Sequence, residues 1–215
     1  MLIELGKENS LLNQFMTELR DKEIQKDAMR FRRNLERIGE IFAYEISKKL
    51  PWKTIETTTP LGIAKTQVLT EQPVLGTILR AGLPLHQGML NYFDKAENAF
   101  IGAHRKEHKD GTMEVVLEYT GSPDLNGKNL ILCDPMLATG QSLVLTYKQL
   151  LHRGRPKHTH IVNVIGSREG VDYAKKHLPD NTTLWIVAID EELTSNSYIV
   201  PGLGDAGDLA FGIKL

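Results

Sequence analysis

The stretch ILCDPMLATGQSLVL, residues 131–145, decides how the chain is read. The apolar run Leu130-Ile131-Leu132-Cys133 breaks at Asp134-Pro135, passes through small residues to Thr139-Gly140, and resumes an apolar pattern from Leu143. A short apolar run, an Asp-Pro break and a glycine before a helical pattern predict a buried strand, a loop and a helix. The first turn of that helix presents free N–H groups and the positive end of the helix dipole, which favour phosphate. Gly140 lets the backbone approach an anion closely, and Thr139 and Ser142 add hydroxyl donors. Asp134 repels phosphate but suits neutral hydroxyls such as those of a ribose. The stretch therefore fits a sugar phosphate. A plain strand–helix loop capped by Thr139 or Ser142 is the simpler alternative. The pattern GxxxxGK[ST] is absent, so this is not a Walker loop.

Outward from this point the pattern is regular. Strands at 129–133, 160–166 and 183–190 alternate with helices at about 140–153 and 169–178. Upstream, VLGTILRAGLPL (74–85) reads as a buried strand, a glycine turn and a helix from about Pro84, a residue well placed in a first helical turn. AFIGAHR (99–105) and MEVVLEY (113–119) read as strands, RKEHKDGT (105–112) as a charged loop or hairpin tip, and 121–127 as a turn. The Thr-rich 52–72 lacks helical period and is expected to be extended. Residues 10–49 read as helical: Leu11, Leu12, Phe15 and Leu19 share a face, as do Phe31, Leu35, Ile38, Phe42 and Ile46. Arg20-Asp21-Lys22 interrupts the pattern, and Pro51 ends it. Arg30, Arg32, Arg33, Glu36, Arg37 and Glu40 form a solvated, ion-paired face. Alternating short strands and helices imply an α/β fold with a Rossmann-like parallel sheet covered on both faces. Ligands of such sheets bind beyond the carboxyl ends of the strands, where the opening stretch lies.

The whole chain agrees with this class. It has 215 residues, 41% apolar and 25% charged, with a net charge of -1. A near-neutral balance argues against a nucleic-acid partner held by bulk charge. One cysteine, Cys133, excludes an intrachain disulfide and reads as packed core. Apolar runs are strand-sized, so no membrane span is expected. The acidic start MLIELGKENS is unlike a secretory leader, which points to the cytoplasm. His158 and His160 fall on one strand face without a third ligand and read as a surface pair.

Three separated motifs carry a resemblance. Cys133 to Gly140, in the form DPMLATG, resembles the phosphoribosyl-diphosphate (PRPP) loop of type I phosphoribosyltransferases, and within them of the uracil phosphoribosyltransferase family. ILRAGL (78–83) and YIVPGLGDAGD (198–208) resemble two further motifs of that family, and RDKE…FRRNLERIGEIFAYE its leading helices. The likeness spans nearly the whole chain in the expected order.

The resemblance implies a type I phosphoribosyltransferase fold in one domain: N-terminal helices at 10–50, a core at about 70–190, a β-arm, and a C-terminal base-binding hood at 191–215. The implied reaction is uracil plus PRPP giving UMP and diphosphate. Arg80 and Arg105 would bind the diphosphate. Asp134, Pro135, Met136, Leu137, Ala138, Thr139, Gly140, Gln141 and Ser142 would hold the ribose and the 5′-phosphate. Ile199, Gly204, Asp205 and Ala206 would line uracil, with Asp205 also facing PRPP and standing as a candidate base. Mg²⁺ would arrive with PRPP rather than on direct protein ligands. The implied partners are these small molecules and further copies of the chain, as a homodimer or larger assembly. The charged 105–112 segment would be an arm or lid. The chain departs from the family at Gln141, Thr194, Ser197 and Leu209, where Gly or Ser, Asn, Gly and a basic residue are usual. If residue 141 only opens the helix, Gln is harmless there. Two other readings use the same fold, a nucleotide-sensing RNA-binding regulator and a transferase for another base.

Overall fold

The structure is a computed structural model that describes residues 1–107 and 113–214; the side chains at 103–107 and 113–118 are outside the description. In chain order the elements are β1 (Leu2–Glu4), α1 (Leu11–Arg20), α2 (Ala28–Ser47), β2 (Trp52–Thr59), β3 (Gly62–Leu69), β4 (Val74–Leu79), α3 (Leu83–Leu90), β5 (Glu97–Glu107), β6 (Met113–Gly121), β7 (Asn129–Cys133), β8 (Met136–Leu137), α4 (Gln141–Leu150), β9 (His158–Ser167), α5 (Arg168–His177), β10 (Thr182–Asp190), β11 (Glu192–Leu193), β12 (Ile199–Val200) and α6 (Ala206–Phe211).

The main sheet runs β1-β10-β9-β7-β4-β5-β6, with β8 added beside β9. Every pairing is parallel except β5 with β6. The period-two pleat splits each central strand between two cores. Ile131 and Cys133 face α1, α2, α3 and the C-terminal segment. Leu130 and Leu132 face α4 and α5. Burial on both faces is why these strands are continuously apolar. Cys133 is buried, and that burial pushes its thiol up.

The helices follow their sequence signals. The Ser10 side chain accepts from the Leu12 N–H at 3.2 Å, and Asn13 closes the capping box on the Ser10 N–H at 3.0 Å. Asp27 caps α2 at the Arg30 N–H, 3.0 Å away. Phe31, Leu35, Ile38, Phe42 and Ile46 are buried as their spacing requires. On the polar side Arg33 pairs with Glu36 at 2.7 Å and Arg30 with Glu18 at 2.8 Å. Gly39 and Gly88 let α2 and α3 touch: a Cβ on either would strike a backbone carbonyl of the other helix, Leu85 O or Glu36 O.

Several expectations change. Leu11 is 68% exposed, and Met16 takes its place on the buried face with Leu12 and Leu19. The three-residue β1 and two-residue β8 are too short to carry a period. The helix expected to 153 is α-helical only to Leu150, with a 3₁₀ turn over Leu151–Arg153. The His158 and His160 rings meet at a tilt with centroids 4.6 Å apart, yet they are not a surface pair. His160 is buried at the centre of the sheet and accepts from Trp185 Nε1–H at 3.0 Å. Burial pushes its pKa down to about 3, so the ring is neutral. The charged loop or hairpin tip expected at 105–112 is strand β5 as far as Glu107, and 108–112 lie outside the described residues. Among the described residues no helix is long and apolar enough to cross a membrane.

Candidate functional site

A cavity of about 650 Å³ opens beyond the carboxyl ends of the central strands. Ile78 and Leu79 from β4, Gly102 from β5, Asp134 after β7, Ser142 and Thr146 from α4, and the two runs 196–198 and 204–208 line it. It brings together Arg80, Asp134, Met136, Ala138, Ser142, Gly204, Asp205 and Ala206 from three separate stretches of sequence.

The loop after β7 is held to the sheet. The Asp134 N–H donates to Val162 O at 3.0 Å, and Asn163 Nδ2 donates to Asp134 O at 2.5 Å. The Asp134 carboxylate accepts from the Met136 N–H at 3.4 Å, turning the chain into β8. Ser167 Oγ donates to Ala138 O at 2.5 Å and accepts from the Gly170 N–H at 2.8 Å, which fastens the loop to the first turn of α5. Gly140 takes the capping position of α4 at φ 76, and Thr139 Oγ1 accepts from the N–H of Gln141, the first helical residue, at 3.4 Å. A Cβ there would lie 2.7 Å from Gly170 O. The positive φ falls on Gly140, and Gln141 is simply the first residue of the helix. Pro135 and Leu137 are buried, Thr139 is half-buried and Gln141 is exposed, and none of these four lines the cavity.

Arg80 follows β4 across a cis Leu79–Arg80 peptide. Its guanidinium reaches over the cavity, donating to Asp208 Oδ1 at 3.1 Å and to Gly212 O at 3.2 Å. These use two of its five N–H groups. Arg105 lies on β5 opposite Val115, and its side chain, like that of His104, is outside the described residues.

The C-terminal segment is folded, anchored by buried Leu203, Ala206 and Ala210. Asp205 caps α6, accepting from the Asp208 N–H at 2.9 Å. Asp208 Oδ1 also accepts from the Lys214 N–H at 3.2 Å. Ile199 is 4% exposed, with its side chain in the core and not in the cavity. Thr194 closes the turn before β12: its Oγ1 accepts from the Tyr198 N–H at 3.1 Å, and its carbonyl from the Ser197 N–H at 2.8 Å. Ser197 is held at φ 61, and Leu209 packs on the core outside the cavity.

Sequence reasoning passed over Asn196 and Lys214, which line the cavity, and quoted Tyr198 and Asp208, which also line it, without giving them a role. It also missed the pair Arg20–Asp190. Arg20 forks onto both carboxylate oxygens at 2.8 Å, and its Nη1 donates to Gly202 O at 2.9 Å. Burial would raise the Asp190 pKa, but the Arg20 guanidinium and the Gly202 N–H hold it below the usual carboxylate range. No local signal announces a contact 170 residues away. Among the described residues no group of three or more His, Cys, Asp or Glu side chains is placed to hold a metal ion.

The sequence model of the family described as uracil phosphoribosyltransferase matches residues 7–213. A protein named uracil phosphoribosyltransferase from Porphyromonas gingivalis is 56% identical over 214 residues, covering 100% of this chain and 99% of that protein. The solved AQ2163 protein from Aquifex aeolicus superposes with a TM-score of 0.87 at 29% identity, covering 100% of both chains. An adenine phosphoribosyl transferase from Trypanosoma brucei, solved with AMP, pyrophosphate and ribose-5-phosphate, shares the fold at a TM-score of 0.56 and 12% identity, over 91% of this chain and 87% of that one.

Proposed function

The chain belongs to the uracil phosphoribosyltransferase family, and we infer that it transfers the 5-phosphoribosyl group of PRPP to uracil, giving UMP and diphosphate. The observation that carries the assignment of residues is the single cavity joining Arg80, Asp134, Ser142 and Asp205 at the strand ends.

Bond breaking at C1′ develops oxocarbenium character while negative charge builds on the departing diphosphate. No protein nucleophile is needed. The site must hold uracil N1 over C1′ and stabilise the leaving group. The backbone N–H groups of Ala138 to Ser142, at the start of α4, suit the 5′-phosphate. Asp134, set back from that cradle, suits the ribose hydroxyls. Arg80 has three N–H groups left for diphosphate after its contacts with Asp208 and Gly212, and Arg105 would approach from β5. Main-chain groups at Gly204 to Ala206, with Ile199 contributing backbone only, would read the edges of uracil. A purine is excluded by size. Cytosine is rejected by its reversed donor, which would leave a polar group unpaired. Asp205 is the carboxylate nearest in role to an acceptor for the N1 proton.

The residues fit a Mg²⁺ carried in on PRPP: Asp134 and Asp205 line the cavity and would offer carboxylate oxygens to its water shell, while Asp208 is engaged by Arg80. Bound there, the ion would neutralise charge building on the diphosphate. We also propose a homo-oligomer, because the β2–β3 hairpin leaves Trp52, Ile55, Leu61 and Ile63 without cover in the chain.

The test is UMP formation from radiolabelled uracil, PRPP and Mg²⁺, with adenine, hypoxanthine and cytosine in parallel. Turnover with uracil alone is expected. Equal turnover of a second base would sink the reading of the 204–206 loop.

A further inference from the structure

We propose that Arg20 and Asp190 are positioning residues for uracil, acting through Gly202; the proposal rests on reading Gly204 to Ala206 as the base site. Neither side chain lines the cavity. Together they hold the two peptide groups on either side of the Gly202 Cα, from which the base loop departs. Asp190 Oδ2 accepts from the Gly202 N–H at 2.9 Å, and Arg20 Nη1 donates to Gly202 O at 2.9 Å. Both polar ends of residue 202 are thus held, at a left-handed φ of 63. Only buried Leu203 separates it from Gly204, so a rotation at 202 carries directly into the main chain that would face uracil.

The two supports are rigid. Asp190 ends β10 and is paired in register with Ser167 of β9. Arg20 ends α1, whose Leu12, Met16 and Leu19 are buried. Its carbonyl is itself held, accepting from Gln25 Nε2 at 3.2 Å. A glycine-rich loop cannot keep main-chain donors within the narrow tolerance that recognition needs unless fixed elements hold it. Here the first long helix and the last long strand do so.

The geometry requires arginine. One guanidinium nitrogen serves Asp190 Oδ1, and the other serves both Asp190 Oδ2 and Gly202 O. Lysine supplies one compact charge without the fork. Arg20→Lys therefore keeps a cation against the carboxylate while giving up the planar grip on the loop, which separates positioning from folding.

The experiment is steady-state kinetics of the full chain with both substrates varied, alongside thermal unfolding. For Arg20→Lys we expect the uracil KM to rise about tenfold or more, with the PRPP KM within about twofold of wild type. Thermal unfolding should change little. Asp190→Asn should raise the uracil KM likewise, with a lower melting temperature, because a buried pair has lost one charge. Should a single variant fail to fold, the double variant Arg20→Met/Asp190→Leu removes both charges together and is expected to fold. Its uracil KM must then rise selectively. An unchanged uracil KM in a folded variant, or a parallel rise in both KM values, overturns the proposal. A wild-type chain that binds PRPP but does not turn over uracil overturns the functional reading itself, and the proposal with it.

Discussion

Ser197 shows how one residue can carry a local cost. Its φ of 61 lies in the left-handed region that L side chains enter at a penalty, and it lines the cavity. The Thr194 carbonyl and hydroxyl hold the turn that imposes this conformation. Ser197→Gly removes the penalty, partly offset by the greater freedom of glycine in the unfolded chain. A net stabilisation of about 0.5–1 kcal/mol is expected, raising the melting temperature by about 1–4 °C. A lower melting temperature would mean that the serine side chain, not Thr194, holds the turn. At this scale the sequence was informative where chemistry is local. Gly140, Asp134 and Ser142 were legible because a loop between strand and helix constrains its own residues. Arg20, Asp190 and the Arg80–Asp208 pair were not, because their partners are fixed only when the sheet brings distant segments together.

The element that matters most is the turn from β8 into α4. Gly140 places the first N–H groups of α4 and is packed against Gly170 O, with Tyr173 also near. Gly140→Ala adds a methyl group at a left-handed φ and against a carbonyl, two costs that both fall on the loop. We expect about 1–3 kcal/mol of lost stability and a PRPP KM raised at least about tenfold. The uracil KM should move less, because that loop stands on other elements. A variant with normal PRPP kinetics would show that this turn does not shape the phosphate cradle. Elements of ordinary length announced themselves through pattern: the α2 stripe, the largely apolar runs of β7, β9 and β10, and the Pro84 start of α3 all appear where expected. The strands that escaped, β1, β8, β11 and β12, are only two or three residues long, and β1 and β8 form where β10 and β9 offer unpaired backbone. Burial of His160 escaped for a related reason: histidine looks polar in a sequence, and only its place in the sheet beside the Trp185 N–H makes it core.

At the scale of the whole molecule, the β2–β3 hairpin is the part that the chain itself does not explain. It forms its own two-stranded sheet apart from the main one. Leu61 at its turn is 100% exposed and Ile63 71%. A lone hairpin is at best marginally stable in water, and its exposed backbone edges and apolar side chains invite pairing with another chain. Its strands nevertheless pair without a break in register, from Trp52 opposite Leu69 to Thr59 opposite Gly62. A second copy covering this hairpin would account for both its length and its apolar side chains. Sedimentation equilibrium of the full chain should give a mass at least twice 24.1 kDa. Leu61→Ser/Ile63→Thr should shift that mass toward the monomer while leaving the cores intact, because neither residue belongs to them. If the active site is complete within one copy, kcat should survive dissociation. If activity falls with the mass, the partner's hairpin supports the site. A wild-type chain that sediments as a monomer at micromolar concentration would remove the hairpin from assembly altogether.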